Sequence, residues 1–443
     1  MFRMKFKYIM VSMILCLLLI APAQTALAAV PTAEFPEGWP QGPGVEAESA
    51  IIMEASTGTI LYEKNSHEEL YPASITKIMT TLLALNNSSL NDTVTFSHDA
   101  VFSVGTSDAK LGGIDEGDKL TMEQCLYGVM LASANDVSYA VAEHVGGSLS
   151  KFVDMMNEEA EKLGCENTHF TNASGLPDAD HYTTAYDMAL ISQEALKNPV
   201  FRQIAQTMVY TIPADEYCPE PRARANHHEM KSNGKYPYDG WIGGKTGWTA
   251  SAGYTLVTFA HKNNMDLICV IMKSSQTGQY TDTKALLDYG FQNFKRMNLS
   301  EAEVRPAEQE SADNTLRLGD FMKEQPLLGI NPEDYIVIPG PAGWDQIEAV
   351  FIPDAQDDET AGSMRYTYNG YYVGTGRVVL NTENAYQFQA STNLNRNNSA
   401  HGILKINPWI IAAAAVLAVI IVVVIILLFR RPRRRRRGRK LRF

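Results

Sequence analysis

The chain predicts an α+β fold, because helical patterning is confined to its middle and strand patterning to its two ends. Alternating βαβ units would interleave the two periods, whereas segregated blocks place helices against an antiparallel sheet. A long apolar run near each terminus adds that the folded body is exported and held at a membrane.

Taken in order, residues 1–28 read as a signal peptide. Arg3, Lys5 and Lys7 form a basic start, Ile9 to Ile20 an apolar core, and Ala26-Leu27-Ala28 a small-residue cleavage site. Pro31 to Pro43 is rich in Pro and Gly, so 29–47 is expected to be an exposed lead-in. Ala50 to Met53 and Thr59 to Glu63, split by Ser56-Thr57-Gly58, predict a β-hairpin. Pro72-Ala73-Ser74-Ile75-Thr76-Lys77 then opens an amphipathic helix through Ile78, Met79, Leu82 and Leu83, with Pro72 near its first turn. Thr93 to Phe96 begins a short, polar, irregular insertion.

Thr121 and Gln124 have capping-box spacing. The helix behind them, through Cys125, Leu126 and Val129, ends near Ala132. Ser133-Ala134-Asn135 separates it from a helix over Val137 to Val145, which Gly146-Gly147 stops. A further helix spans Phe152 to Leu163. Asn167 to Asp180 is a loop, and Thr184 caps a helix whose third residue is Asp187. Val209 to Ile212 is a strand, and Arg222 to Tyr238 a polar, turn-rich rim. Trp241 to Ala250, Tyr254 to His261 and Leu267 to Lys273 are successive antiparallel strands, closed by a helix over Leu286 to Phe294. These elements make one domain, 48–297.

Residues 298–390 form a smaller β-rich domain, with strands near Asn314 to Leu318, Tyr335 to Ile338, Ile347 to Ile352, Met364 to Tyr368 and Tyr371 to Leu380. Asn369-Gly370 between two alternating runs is a hairpin turn. Gly374-Thr375-Gly376 has no helix behind it and reads as a bulge or turn, not a phosphate loop. An Asn-rich linker at 391–408 leads to the apolar run 409–429. A helix of that length covers about 31 Å, enough to cross a hydrocarbon core of about 30 Å. The basic tail 430–443 is expected to stay in the cytoplasm.

Signal and tail carry 3 and 10 of the 38 basic residues and no acid, leaving the body 25 basic against 50 acidic residues. Such a body repels polyanions, so no nucleic-acid partner is expected. Cys125, Cys165, Cys218 and Cys269 show no metal spacing. Four cysteines in an exported chain allow three disulfide pairings. Cys125 and Cys269 lie in apolar runs and are expected to be buried free thiols. His227-His228 is read as a rim pair without a third ligand, so no metal and no cofactor are expected. Asp187 reads as a first-turn helix acid.

The chemistry begins at Ser74 and Lys77. Residues three apart share a helix face, so the hydroxyl stands beside the amine. A hydroxyl is a poor nucleophile until a base takes its proton, and a lysine whose pKa is lowered by burial and a like charge can be that base. Ser133-Ala134-Asn135 follows 59 residues after Ser74, and Lys245-Thr246-Gly247 follows 112 residues after Ser133. S-x-x-K, S-x-N and K-T-G in this order are the signature of penicillin-binding proteins and β-lactamases. The surrounding stretches, Tyr71 to Thr80 and Gly243 to Tyr254, resemble the serine D-alanyl-D-alanine carboxypeptidases among the low-molecular-mass penicillin-binding proteins. The resemblance runs from about Glu48 to about Phe294.

It implies a β-lactamase/DD-peptidase-like catalytic domain followed by a β-rich membrane-proximal one. It also implies Ser74 as nucleophile, Lys77 as base, Ser133 as proton relay and Asn135 as the residue fixing Lys77 and the substrate amide. Lys245, Thr246 and Gly247 would hold substrate, and the backbone N–H groups of Ser74 and Trp248 the oxyanion. The implied partners are a peptidoglycan stem peptide ending in D-Ala-D-Ala, β-lactam antibiotics as covalent inhibitors, and the cytoplasmic membrane. A β-lactamase-type hydrolase on the same fold, or a non-catalytic β-lactam or wall-binding sensor, are the alternatives. E-x-x-x-N occurs at Glu194 and Glu229, while Phe170 stands where Glu166 would need its Asn. The family often carries an Arg near the position of Tyr280; this chain has none there, leaving Lys273 as a substitute cation.

Overall fold

The computed structural model describes residues 35–105, 109–216, 218–302, 328–353 and 360–380. The expected signal peptide, linker, membrane span and basic tail lie outside these residues, as does the strand expected near Asn314. Among the described residues no helix is long and apolar enough to cross a membrane.

β1 (Ser49–Glu54) and β2 (Ile60–Lys64) form the expected hairpin. A 3-10 turn, Ala73–Thr76, leads into the helix Lys77–Asn87. The insertion is more regular than its polar composition indicates: β3 (Thr93–Thr95) pairs with β4 (Lys119–Thr121). Thr121 and Gln124 close both halves of a capping box on the helix Met122–Leu131. Asn135–Gly146, Leu149–Lys162, Ala185–Lys197 and Pro199–Gln206 complete the central helices. The rim starts as a strand, since β6 (Arg222–Ala225) pairs with β5 (Val209–Ile212).

β7 (Trp241–Thr249), β8 (Gly253–Lys262) and β9 (Met265–Ser274) join the N-terminal hairpin in an antiparallel sheet of order β2-β1-β9-β8-β7. The closing helix, Gly278–Asn293, begins eight residues earlier than its apolar pattern indicates. Ile268, Val270 and Met272 of β9 pack into the helical core, while Leu267, Cys269 and Ile271 meet the closing helix. Successive side chains thus go to opposite faces, both buried, which is why the strand reads as an unbroken apolar run.

β10 (Phe294–Asn298) pairs with β12 (Tyr335–Pro339). A second sheet contains β11 (Leu328–Ile330), β13 (Ile347–Pro353), β14 (Thr360–Tyr368) and β15 (Tyr371–Leu380), in the order β11-β15-β14-β13. The β14–β15 turn is Asn369-Gly370 at φ 48° and 79°. Gly374 opposes Tyr366 just where the register shifts. The lead-in is partly exposed, as expected, but it is pinned to the body. Trp39 stacks on Phe35, packs on Phe294 and Tyr371, and donates to the Leu61 carbonyl at 3.0 Å. Its proline-rich composition marked irregular backbone, and its two half-buried aromatics hold it in place. All four described cysteines are free, with Cys125 and Cys269 buried.

Candidate active site

The sheet order leaves β7 as an edge strand, and this edge borders the turn that carries Ser74. That turn is strained. Ala73 has φ 53°, a left-handed value uncommon for a residue with a Cβ. The Pro72 carbonyl accepts from Thr255 Oγ1 at 2.8 Å, and the Ala73 carbonyl from Thr76 Oγ1 at 2.9 Å. Thr76 is held in turn by His181 Nε2 at 3.0 Å.

Lys77 is fully buried. Its Nζ donates to Ser74 Oγ at 3.0 Å, Asn135 Oδ1 at 2.6 Å and the Ser174 carbonyl at 2.6 Å. Ser174 was not visible as a site residue from the sequence. Its position follows from an Asx-turn in the 167–180 loop, where Asn172 Oδ1 accepts from the amides of Ser174, Gly175 and Leu176. The Asn-x-x-Gly spacing was the available signal.

Ser133, at φ 56°, is the second strained residue. Its Oγ accepts from Lys245 Nζ at 3.0 Å, and Lys245 also donates to the Thr246 carbonyl at 2.8 Å. Burial lowers the Lys245 pKa to about 7. Gly247 lies against the nucleophile: a Cβ there would collide with Thr255 Oγ1 and stand 2.9 Å from the Ser74 amide nitrogen. Ser74, Ser133, Thr246, Gly247 and Trp248 all line one cleft of about 480 Å³.

Other candidates fall elsewhere. His227 lines the cleft, but His228 is fully buried, its Nε2 2.9 Å from Thr258 Oγ1, so the two are not a rim pair. Burial holds His228 down to about 3. Asp187 is buried at its helix start and accepts from Asn167 N and Thr168 Oγ1. Lys273 Nζ pairs with Glu48 at 2.7 Å and lines a separate cavity, so it does not supply the missing cation. Glu166 is exposed and Phe170 buried. Glu194 pairs with Lys197, and Glu229 accepts from the Lys235 amide at 2.7 Å. Among the described residues there is no cluster of three His, Cys, Asp or Glu side chains fit for a metal.

Comparison with known proteins places this geometry. A family model for D-alanyl-D-alanine carboxypeptidases matches residues 37–276. The chain is 36% identical over 256 residues to the D-alanyl-D-alanine carboxypeptidase DacF of Bacillus subtilis, covering 56% of this chain and 63% of that protein. It is 32% identical over 368 residues to DacC of Escherichia coli, covering 79% and 87%. The solved structure of the Streptomyces K15 DD-transpeptidase superposes with a TM-score of 0.53 at 30% identity, over 57% of this chain and 100% of that one.

Proposed function

Because the chain belongs to the D-alanyl-D-alanine carboxypeptidase family, we propose that it works as a serine DD-carboxypeptidase outside a bacterial cytoplasmic membrane, removing the terminal D-Ala of peptidoglycan stem peptides. Ser74 Oγ attacks the carbonyl of the penultimate D-Ala. Of the groups bonded to Lys77 Nζ, Asn135 Oδ1 and the Ser174 carbonyl can only accept, whereas the Ser74 hydroxyl can also donate. A neutral amine has two N–H groups and one lone pair. The two pure acceptors take the N–H groups and leave the lone pair facing Ser74. This arrangement is the observation that carries the proposal.

As the Oγ–C bond forms, the Ser74 proton passes to Lys77. The backbone N–H groups of Ser74 and Trp248 receive the oxyanion; losing one such donor costs about 2.7–4 kcal/mol. Ser133 already accepts from Lys245, so its own proton is free to reach the leaving nitrogen, and the proton held by Lys77 replaces it, which returns Lys77 to the neutral amine. The C–N bond breaks and D-Ala departs as an amine; water then attacks the ester, and its proton passes to Ser74 Oγ as the acyl group leaves. Asn135 also fixes the substrate amide. Lys245 and Thr246 hold the terminal carboxylate, and Gly247 admits the substrate backbone. The apolar run 409–429 anchors the chain, with the basic tail inside.

Penicillin acylates the same Ser74. With Glu166 exposed, Glu194 paired and Glu229 engaged by backbone, none of these three candidate carboxylates is placed to activate water as in a class A β-lactamase. The test is mass spectrometry after brief penicillin exposure, beside D-Ala release from a peptide ending in D-Ala-D-Ala. A persistent adduct and D-Ala release are expected, both lost in Ser74→Ala. Lys77→Arg keeps charge and approximate length but stays protonated, and should slow acylation by roughly 10²–10⁴. An adduct vanishing within seconds as penicilloate accumulates would favour a β-lactamase instead.

A further inference from the structure

Resting on the carboxypeptidase reading, we propose that Lys235 is a further specificity residue, a second cation that reaches the substrate's terminal carboxylate beside Lys245 and Thr246. Besides the motif residues, the cleft is lined by a group from the rim and the closing helix: His227, Glu229, Lys235, Tyr236, Gln279 and Tyr280. Lys245 is buried and already shared between Ser133 and Thr246, so a second cation that faces solvent and has no carboxylate partner would strengthen the grip on a free carboxylate. Burial, with Lys245 and Lys231 nearby, pushes His227 below its usual range, so it stays neutral. Lys231 is buried and donates to the His228 carbonyl at 3.1 Å. Lys273 is paired with Glu48 outside the cleft. That leaves Lys235, which is exposed, has no ion pair among the described residues, and sits over the Tyr236 ring at 5.0 Å.

The backbone beneath it is clamped. Its amide donates to Glu229 Oε2 at 2.7 Å, and the Tyr236 amide to the Glu229 carbonyl at 2.9 Å. A Cβ on Gly234 would collide with that same carbonyl, so the tight turn needs glycine. Tyr236 stacks on Tyr280 with centroids 4.8 Å apart, and Tyr280 meets the buried His228 edge-on. Lys235 therefore has a flexible stem on a rigid base. It can swing from the aromatic face to a carboxylate, forming a charge-assisted bond. Glu229 is a positioning residue for this lysine.

The test compares kcat/KM for a peptide ending in D-Ala-D-Ala with that for its C-terminal amide, which keeps the scissile bond and removes the charge. Lys235→Gln should lose roughly 10- to 100-fold on the free carboxylate, mostly in KM, and little on the amide. Lys235→Arg should retain most of the preference, and Lys273→Gln all of it. A Lys235→Gln enzyme that keeps the wild-type preference, or loses equally on both peptides, overturns the proposal. If the wild type released nothing from either peptide, the carboxypeptidase reading would fail separately. Acylation by benzylpenicillin against its methyl ester then decides the role of Lys235: loss of the acid's advantage in Lys235→Gln supports it, and retention refutes it.

Discussion

At the scale of single residues, the site is governed by two buried lysines with different surroundings. Lys77 Nζ donates to Ser74, Asn135 and Ser174, whereas Lys245 donates to Ser133 and Thr246 and has its pKa lowered to about 7 because burial disfavours its charge. The proposed grip on a terminal carboxylate uses that charge, so kcat/KM should fall as pH rises through about 7. A pH–rate profile flat from 6 to 9 would refute this. Stability should move the other way. An unfolded lysine keeps its proton to about 10.4, so the cost of the buried charge is largest below 7 and is relieved as pH rises between those values. Melting at pH 6 should accordingly show Lys245→Met more stable than wild type, although poorly active. The motif identified both lysines. It could not reveal Ser174 or His181, whose proximity to Lys77 and Thr76 depends on a loop returning from about a hundred residues away.

At the scale of elements, local rules worked where the chain satisfies itself. The capping box at Thr121 and the Asn369-Gly370 turn form as their spacing indicates, because each is completed within four residues. The Ser74 segment reads as the start of an ordinary helix. It is instead a 3-10 turn with Ala73 at φ 53°, the kind of strain that persists only where surrounding contacts over-determine it. Thr255 on β8 and Thr76 supply those contacts. β7 lies so close to this turn that Gly247→Ala should abolish penicillin acylation, since the new methyl group would push β7 away from the Ser74 amide. A Gly247→Ala protein acylated at more than a tenth of the wild-type rate would contradict this close approach.

At the scale of the molecule, the β-rich part is fastened to the catalytic part by specific bonds. Tyr335 Oη donates to the buried Glu54 at 2.7 Å, Tyr371 Oη to the Ile60 carbonyl at 3.1 Å, and Tyr372 Oη to the Thr57 carbonyl at 3.0 Å. Trp39 wedges between Phe294 and Tyr371. The hydroxyls of these tyrosines reach outside their own sheets to the β1–β2 hairpin. The proposed anchor at 409–429 carries a topological expectation: protease added to intact protoplasts should remove the catalytic body and spare the basic tail. A catalytic body protected until the membrane is opened would reverse the orientation.

The sequence alone determined the α+β class and the order of the main elements, and it supplied the motifs from which the nucleophile, its base and the reaction class are proposed. All of these rest on short-range periodicity or on motifs whose members need only be recognised, not placed. Tertiary structure decided what depends on residues far apart in the chain meeting. It set Asn135 Oδ1 and the Ser174 carbonyl against Lys77 Nζ beside Ser74. It buried Lys245 deeply enough to lower its pKa, buried His228, and drew the lead-in under an aromatic cluster. It turned Lys273 out of the cleft and left Lys235 in it. Charge and polarity are written in the residue, but burial and partners belong to the neighbours that folding brings.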